Sequence, residues 1–380
     1  AGVGPQVACQ MQSIDEIRHA QTQVHAMSNY NKFYNGFKDF ANQRDRIWYT
    51  SVARSFFDDA MSAGPFEFLI AIGFSFEYVL TNLLFVPFMS GAAYNGDMAT
   101  CTFGFSAQSD EARHMTLGLE CIKFMLEQDP DNIPIVQKWI DKWFWRGCRL
   151  LTLVADMMDY MLPKRVMSWR EAWNIYGVEN GNALFRDLAR YGIKPPMHWD
   201  DVEKSIDHTS HQIMLGLYQW KFGTAFHSWT PTASDIEWLK EKYPTTFEKY
   251  YLPRWEYAIA QKENGGEYNN FGLPKLCQVC QLPTLFTEPD DPTQLCHRET
   301  DYEGEKYHFC SDGCQHVFEQ EPEKYVQAWL PMTAMMQEPL KGDLAAWMEW
   351  VSLEPTAAGE YANSEDKANF EKWRKQVSTD

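Results

Sequence analysis

The sequence predicts a mainly α-helical protein with a small cysteine-rich module near its C-terminus. A pentapeptide pattern occurs twice, as Asp15-Glu16-Ile17-Arg18-His19 and Asp110-Glu111-Ala112-Arg113-His114. A lone Glu77 stands between the copies inside an apolar segment, and two cysteine pairs, Cys277-x2-Cys280 and Cys310-x3-Cys314, follow much later. Glu and His three residues apart share one helix face, so each E-x-x-H can offer a carboxylate and an imidazole to the same metal. A single copy is often only a charged helix face with i,i+3 pairing. The repeated pattern argues instead for two half-sites of one two-metal centre.

The elements follow in order. Ala1 to Phe40 has few helix breakers and reads as one long helix holding the first motif. Gly64-Pro65 marks the turn into the apolar segment holding Glu77, and Asn95-Gly96 separates that segment from the helix of the second motif. Three long helices pointing ligands inward are the layout of a ferritin-like bundle. Asp129-Pro130-Asp131 ends the metal-bearing part, and the Trp-rich stretch Ile133 to Leu162 is expected to be a further buried helix. Gly192 to Pro196 is the next break; Trp199 to Phe226 and Ser234 to Lys262 read as peripheral helices, before a linker from Asn264 to Gly272. The expected domains are a di-iron helical bundle over 1–195, peripheral helices and linker over 196–272, a zinc module over 273–330 and a tail over 331–380.

Composition fits a large water-soluble enzyme. The 380 residues are 45% hydrophobic and 15% aromatic, enough for a substantial core. The most apolar run, Phe66 to Phe88, is interrupted by Glu67, Glu77 and Asn82, so no membrane span is expected. With 34 basic against 52 acidic residues the net charge is -18, which argues against nucleic acid and anionic membrane as partners. No signal peptide is visible at Ala1, and a reducing, cytoplasmic setting is the default.

A site rich in Glu oxygens with one imidazole per metal suits two hard, oxidisable iron ions with positions left for oxygen, and suits zinc less well. Asp15 and Asp110 precede the two Glu ligands, and Arg18 and Arg113 precede the two His. These four are expected to orient the imidazoles and balance charge. In an α-helix Thr81 and Phe85 follow Glu77 by about one and two turns, as Gln23 follows His19, and so border the metals. Phe and Thr at that spacing are also ordinary core residues, and a mid-helix Thr often bonds its own helix carbonyls.

The order Glu16, His19, Glu77, Glu111 and His114 within D-E-x-R-H, Glu, D-E-x-R-H resembles the di-iron hydroxylase large subunits of bacterial multicomponent monooxygenases. The stretches Ala1 to Phe37 and Phe74 to Gly118 are most similar to the phenol hydroxylase branch. The resemblance implies that phenol and related aromatics become catechols, with one atom of O2 inserted at a carboxylate-bridged iron pair. It implies an aromatic cavity at Phe56, Phe76 and Phe85, a proton-handling role for Thr81, and further polar positions at Gln23, Asn82 and Gln108. Two companion subunits are implied, in a dimer of heterotrimers, with a small regulatory protein and an NADH-dependent reductase carrying FAD and a 2Fe-2S cluster. The family's sixth ligand is a Glu on a helix on the order of 30 residues upstream of the first motif. Only 15 residues precede Glu16, so an N-terminally truncated sequence is expected. A toluene or alkene monooxygenase is the nearest alternative; an acyl-carrier desaturase, an iron store or a zinc scaffold are more remote.

Four thiolates at Cys277, Cys280, Cys310 and Cys314 suit one structural, tetrahedral zinc. Tyr307-His308-Phe309-Cys310-Ser311 with Phe318, Pro322 and Tyr325 resembles the YHS module, and Cys296, His297, His308 or His316 could replace a thiol. Cys9, Cys101, Cys121 and Cys148 are expected to be buried small apolar residues, and His25 structural. His208 and His211, with His227 beyond them, lack the partners of a recognised metal pattern.

Overall fold

The computed structural model describes residues 2–30, 32, 48–156, 158, 164, 166–203, 205–206, 233–242, 247–248, 252–264, 276–282, 287–288, 291–295 and 297–328. The chain divides into two compact units, Ala1–Phe40 with Phe56–Asp207, and Ala41–Ser55 with His208–Asp380. The expected tail 331–380, most of the linker, and His208, His211, His227 and Cys296 lie outside the described residues.

In the first unit α1 (Val3–Tyr30) carries the first motif, and α2 (Trp48–Ser62) contributes its residues from Phe56 onward. Gly64 is extended (ψ 159°) and Pro65 opens α3 (Pro65–Leu69), where its missing N–H and fixed φ suit a first helical position. The chain then widens into a π-helix, Ile70–Thr81, and narrows again as α4 (Asn82–Tyr94). This differs from the α-helical spacing expected around Glu77. In π turns the bonds run i to i+5, so Thr81 falls short of one full turn after Glu77.

Gly96, at φ 84°, makes the expected turn, and Asp97 caps α5 (Met98–Gln128) by accepting from the Thr100 amide at 3.0 Å. Asp129 ends α5 in extended conformation, as the Asp-Pro-Asp run requires. Next, α6 (Asn132–Asp156) buries Val136, Ile140, Trp143, Phe144, Cys148 and Leu151 on one face. Of the charged side chains that α6 buries, Lys142, Arg146 and Arg149, two meet carboxylates. Lys142 meets Glu67 at 3.0 Å and Arg146 meets Asp59 at 3.3 Å, so neither charge is left uncompensated in the core.

Ser168 and Glu171 form a capping box at α7 (Trp169–Ala172), which runs through a π turn (Trp173–Val178) into α8 (Glu179–Leu188). Trp199 packs between Phe144, Trp173 and Phe185, with ring centroids 5.0–5.3 Å apart. The helix expected from Trp199 begins there as a short 3-10 turn, Trp199–Asp201; 207–226 lie outside the described residues.

In the second unit the expected Ser234 to Lys262 helix is present as two pieces, α9 (Ala233–Lys242) and α10 (Leu252–Glu263). Two hairpins follow, β1 (Thr287–Glu288) with β2 (Asp291–Leu295), and β3 (Arg298–Tyr302) with β4 (Glu305–Phe309). Two short helices, α11 (Asp312–Gln320) and α12 (Pro322–Tyr325), close the module. Among the described residues no helix is long and apolar enough to cross a membrane.

One contact sets the distance between the Glu77 segment and α5. A Cβ added at Gly118 would lie 2.6 Å from the Gly73 carbonyl carbon, and one at Gly73 would lie 3.0 Å from the His114 carbonyl oxygen. Both backbones therefore touch where only glycine fits. Glu77 and His114 each lie four residues from this crossing point. Gly118→Ala is expected to lower stability by about 1–3 kcal/mol through overpacking against rigid backbone. Denaturant unfolding of the metal-free chain measures it, and an unchanged midpoint would contradict the close crossing.

Candidate metal centre

Glu16 from α1, Glu77 from the π-helix, and Glu111 and His114 from α5 each offer one ligand atom within 4.8 Å of the others. His114 Nδ1 lies 3.1 Å from Glu111, 3.4 Å from Glu16 and 3.4 Å from Glu77. His19 Nδ1 lies 3.6 Å from Glu111 and 3.7 Å from Glu16. The five residues expected from the sequence thus converge, with Glu16 and Glu111 each within reach of both imidazoles.

The opposite ring nitrogens are held crosswise. His19 Nε2 meets Asp110 at 2.9 Å, and His114 Nε2 meets Asp15 at 3.3 Å, so each motif's Asp serves the other motif's His. An aspartate accepts from Nε2–H, which fixes the tautomer and leaves the Nδ1 lone pair for a metal. Arg113 donates to Asp15 at 2.7 Å and to Asp110 at 2.8 Å, and Arg18 pairs with Asp110. Asp15, Arg18, Asp110 and Arg113 form one ionic clamp around the imidazoles.

Charge in the cluster is unbalanced without a cation. Burial, reinforced by Glu111 and Glu16 and opposed by His114, pushes the Glu77 carboxyl up to about 7. Burial by itself would lower the His114 imidazole, but hydrogen bonds to Glu111, Glu16 and Glu77 outweigh it and push the group up to about 12. Hydrogen bonds win at Asp15 as well: bonds from Arg113 and His114 overcome burial and hold it below the usual range. Glu77 Oε2 is buried with no hydrogen-bond partner among the described residues. An orphaned carboxylate oxygen among three further donors is the environment a cation would complete, so the residues fit a metal pair.

Beside the cluster lies a cavity of about 590 Å³, lined by Phe57, Phe68, Leu69, Ile72, Phe76, Phe85 and Phe103 on its apolar wall. Gln12, Gln23, Glu16, His19, Glu77 and Glu111 supply its polar wall. Phe76, Phe85 and Gln23 therefore stand where the sequence suggested. Phe56 does not: it is 1% exposed and lies behind the wall, 5.4 Å from the Phe76 ring, while its neighbour Phe57 faces the cavity. Gln108 is half-buried on α5 but does not line the cavity, and the side chains of Thr81 and Asn82 lie outside the described ones. Gln12 was missed. Its amide lies 3.4 Å from Glu77 Oε1, and its place one turn before Glu16 is the signal that could have found it.

In the second unit the Sγ atoms of Cys277, Cys280, Cys310 and Cys314 lie within 4.8 Å of one another, all buried. Gln281 takes a left-handed conformation (φ 65°) as the chain folds back, with the Gln281 amide on the Cys277 carbonyl and the Cys277 amide on the Leu282 carbonyl. Ser311 caps α11 by accepting from the Cys314 amide, which presents that thiol inward. Burial alone would raise the Cys277 thiol, but hydrogen bonds from Cys280, Cys310 and Cys314 hold it well below its ordinary value. Four closed, buried sulfurs suit zinc, and His297, His308 and His316 are not needed for this set. Cys101, Cys121 and Cys148 are buried as expected, with Cys121 pushed up to about 11 and Cys148 to about 12 by burial. Cys9 departs from expectation: it is exposed and lines the cavity, because that face of α1 is open.

Asp110→Asn is expected to weaken iron binding by about 10–100-fold, because an amide can present the wrong polarity to His19 Nε2. Iron titration of the folded protein measures it; unchanged affinity would remove the clamp from metal binding. In the metal-free protein, a carboxyl raised from 4.5 to about 7 costs nothing below its unfolded value and destabilises the fold as pH rises through about 7. Glu77→Gln should therefore leave stability unchanged near pH 4 and raise it by on the order of 2 kcal/mol above pH 7. Chelator-treated unfolding curves at several pH values check the sign.

The family described as Methane/Phenol/Alkene Hydroxylase matches residues 1–129, and the YHS domain matches residues 286–329, which include Cys310 and Cys314 but not Cys277 and Cys280. The chain is 63% identical over 342 residues to the phenol 2-monooxygenase oxygenase component DmpN of Pseudomonas sp. strain CF600, covering 90% of this chain and 66% of that protein. It is 32% identical over 325 residues to the alpha subunit of the oxygenase component of an alkene monooxygenase system from Xanthobacter autotrophicus, covering 82% of this chain and 63% of that one. The chain thus spans about two thirds of the length of these curated relatives. A crystal structure of phenol hydroxylase from Pseudomonas sp. OX1 superposes with a TM-score of 0.83 at 60% identity, over 98% of this chain and 76% of that one. With that much of a solved relative's sequence and backbone shared, and the two D-E-x-R-H helices and Glu77 meeting around one cluster, the chain belongs to the methane/phenol/alkene hydroxylase family.

Proposed function

We propose that the chain is the oxygenase subunit of a multicomponent monooxygenase that converts phenol and related aromatics to catechols. The observation that carries this reading is the apolar cavity of about 590 Å³ sharing Glu16, His19, Glu77 and Glu111 with the donor cluster. A ring held there meets the metals with aromatic side chains, not water, around it. The 63% identity to a phenol 2-monooxygenase oxygenase component supports phenol over the alkenes acted on by the 32% relative.

Glu16, His19, Glu77, Glu111 and His114 would hold two iron ions, which when bound supply O2 activation. The crossed Asp–His pairs keep both Nδ1 atoms turned into the Glu carboxylate cluster, where they would be free to ligate iron. Phe57, Phe76 and Phe85 exclude water and position the ring, and Gln23 offers an amide to a hydroxyl. Thr81, the last residue of the π-helix, is assigned proton handling, and Asn82 is a further polar position beside it. Electrons come from an NADH-dependent reductase with FAD and a 2Fe-2S cluster, and companion subunits with a small regulatory protein complete the assembly. Val3, Val7, Met11, Ile14, Ile17 and Val24 are exposed along α1 and offer such a companion an apolar surface. The cysteine module would hold a structural zinc.

The full-length protein, reconstituted with its companions and reductase, is expected to consume NADH and O2 while forming catechol from phenol, and Glu111→Ala to lose at least 100-fold of that activity, on the order of removing an essential catalytic group. Product analysis by chromatography checks it. Faster turnover of toluene than phenol would transfer the assignment to a toluene monooxygenase. Iron release with no NADH-coupled oxidation of either would favour storage.

A further inference from the structure

The outward face of the β3–β4 hairpin gathers three metal-ligating side chains that neither metal centre uses. β3 and β4 pair antiparallel with Glu299 opposite His308 and Thr300 opposite Tyr307. Side chains alternate along a strand, so Tyr307 and Phe309 turn to Phe318 of α11, with ring centroids 5.0 Å away, while His308 turns out. His297 precedes Glu299 by two residues and shares its face.

The donor atoms converge on one point. His297 Nε2 lies 3.1 Å from His308 Nδ1 and 3.2 Å from Glu299 Oε1, and His308 Nδ1 lies 3.2 Å from the same oxygen. Metal–ligand bonds of about 2.0–2.1 Å in octahedral or tetrahedral geometry set neighbouring ligands about 2.8–3.4 Å apart, so the triangle already has the edges of a coordination face. We propose that His297, Glu299 and His308 form a further divalent transition-metal site, separate from the four cysteines, for a borderline ion such as Zn²⁺, Co²⁺ or Ni²⁺.

Two imidazoles with one carboxylate are a donor set that such ions favour. The three side chains remain 26%, 38% and 21% exposed, which leaves a route for the ion and room for water ligands. Lys306 donates to the other oxygen of Glu299 at 2.8 Å, which orients the carboxylate and, with its charge, holds the carboxyl below the usual range. The backbone is fixed as well: the Gln278 amide donates to the His308 carbonyl at 2.9 Å, tying β4 to the Cys277–Cys280 turn. The competing arrangement is a shared proton, with one imidazolium bridging the second imidazole and Glu299. A metal titration separates the two.

The full chain, with zinc on its cysteines, is titrated with Ni²⁺ and its metal content measured by mass spectrometry beside Glu299→Gln and His297→Ala. Both substitutions change half-exposed side chains outside the module's core. The native chain is expected to take up one more Ni²⁺ than either variant, with zinc content equal in all three. Equal Ni²⁺ uptake by the native chain and both variants would overturn the site, whether that uptake is zero or is carried by the iron or cysteine centres. His308→Ala is a third arm: loss of the extra Ni²⁺ with zinc retained supports the site, and retention of that Ni²⁺ counts against it.

Discussion

The crossed hydrogen bonds between the two motifs are the constraint on which the centre depends. A helix supplying Glu and His at i and i+3 aims both at one point, but an imidazole can rotate and can carry its proton on either nitrogen. Here the other helix's aspartate settles both questions, at His19–Asp110 and His114–Asp15. Each half-site is therefore complete only when α1 and α5 lie side by side. Arg113 bridges the two aspartates, so the four charged residues behave as one unit and not as two independent pairs.

Glu77 reaches this unit by a different route. Its helix has no histidine, and its position is set by backbone contact at Gly73 and Gly118, where neither helix tolerates a Cβ. The π-helical winding from Ile70 to Thr81 belongs with that contact. An extra residue per turn changes which side chains share a face, and it lets Glu77 point at the cluster while Phe76 lines the cavity beside it. Such windings cost backbone regularity and are commonly found at functional sites. The Glu77 oxygen without a partner among the described residues and the raised Glu77 carboxyl express the same trade in electrostatic form: a buried carboxyl among other acids favours a proton or a cation.

What was legible in the sequence is what local spacing encodes. The i,i+3 ligand pairs, the Gly64-Pro65 and Asn95-Gly96 breaks, the Asp129 stop and the paired cysteines each depend on a few neighbouring residues, and each stands where expected. The crosswise pairing, in which each motif's aspartate meets the other motif's histidine, was not legible, because an Asp before a Glu says nothing about which histidine it will meet. The π-helix was hidden for a related reason: no residue pattern marks it, and α-helical periodicity put Thr81 and Phe85 on the ligand face by default. Phe56 and Phe57 illustrate the finest limit. Adjacent residues on a helix differ by about 100° in direction, and two consecutive Phe leave the sequence no means of saying which faces the cavity.

The cysteine module shows how one short hairpin can serve two ends. A strand has a period of two, so β4 sends Tyr307 and Phe309 into the core and His308 outward without any change of backbone. The inward residues anchor Phe318, which holds α11 and with it Cys314 against the other thiols. The outward residues are then pre-positioned by a fold whose stability is supplied elsewhere, with the Gln278 bond to the His308 carbonyl fixing the register between hairpin and cysteine turn. A donor triangle on such a surface costs little to organise, since the zinc-bound core would already have met the entropy of ordering the strands. The histidines sit beside the four-cysteine cluster and are not drawn into it because both faces of β4 are in use, the inner by aromatic packing on Phe318 and the outer by His308.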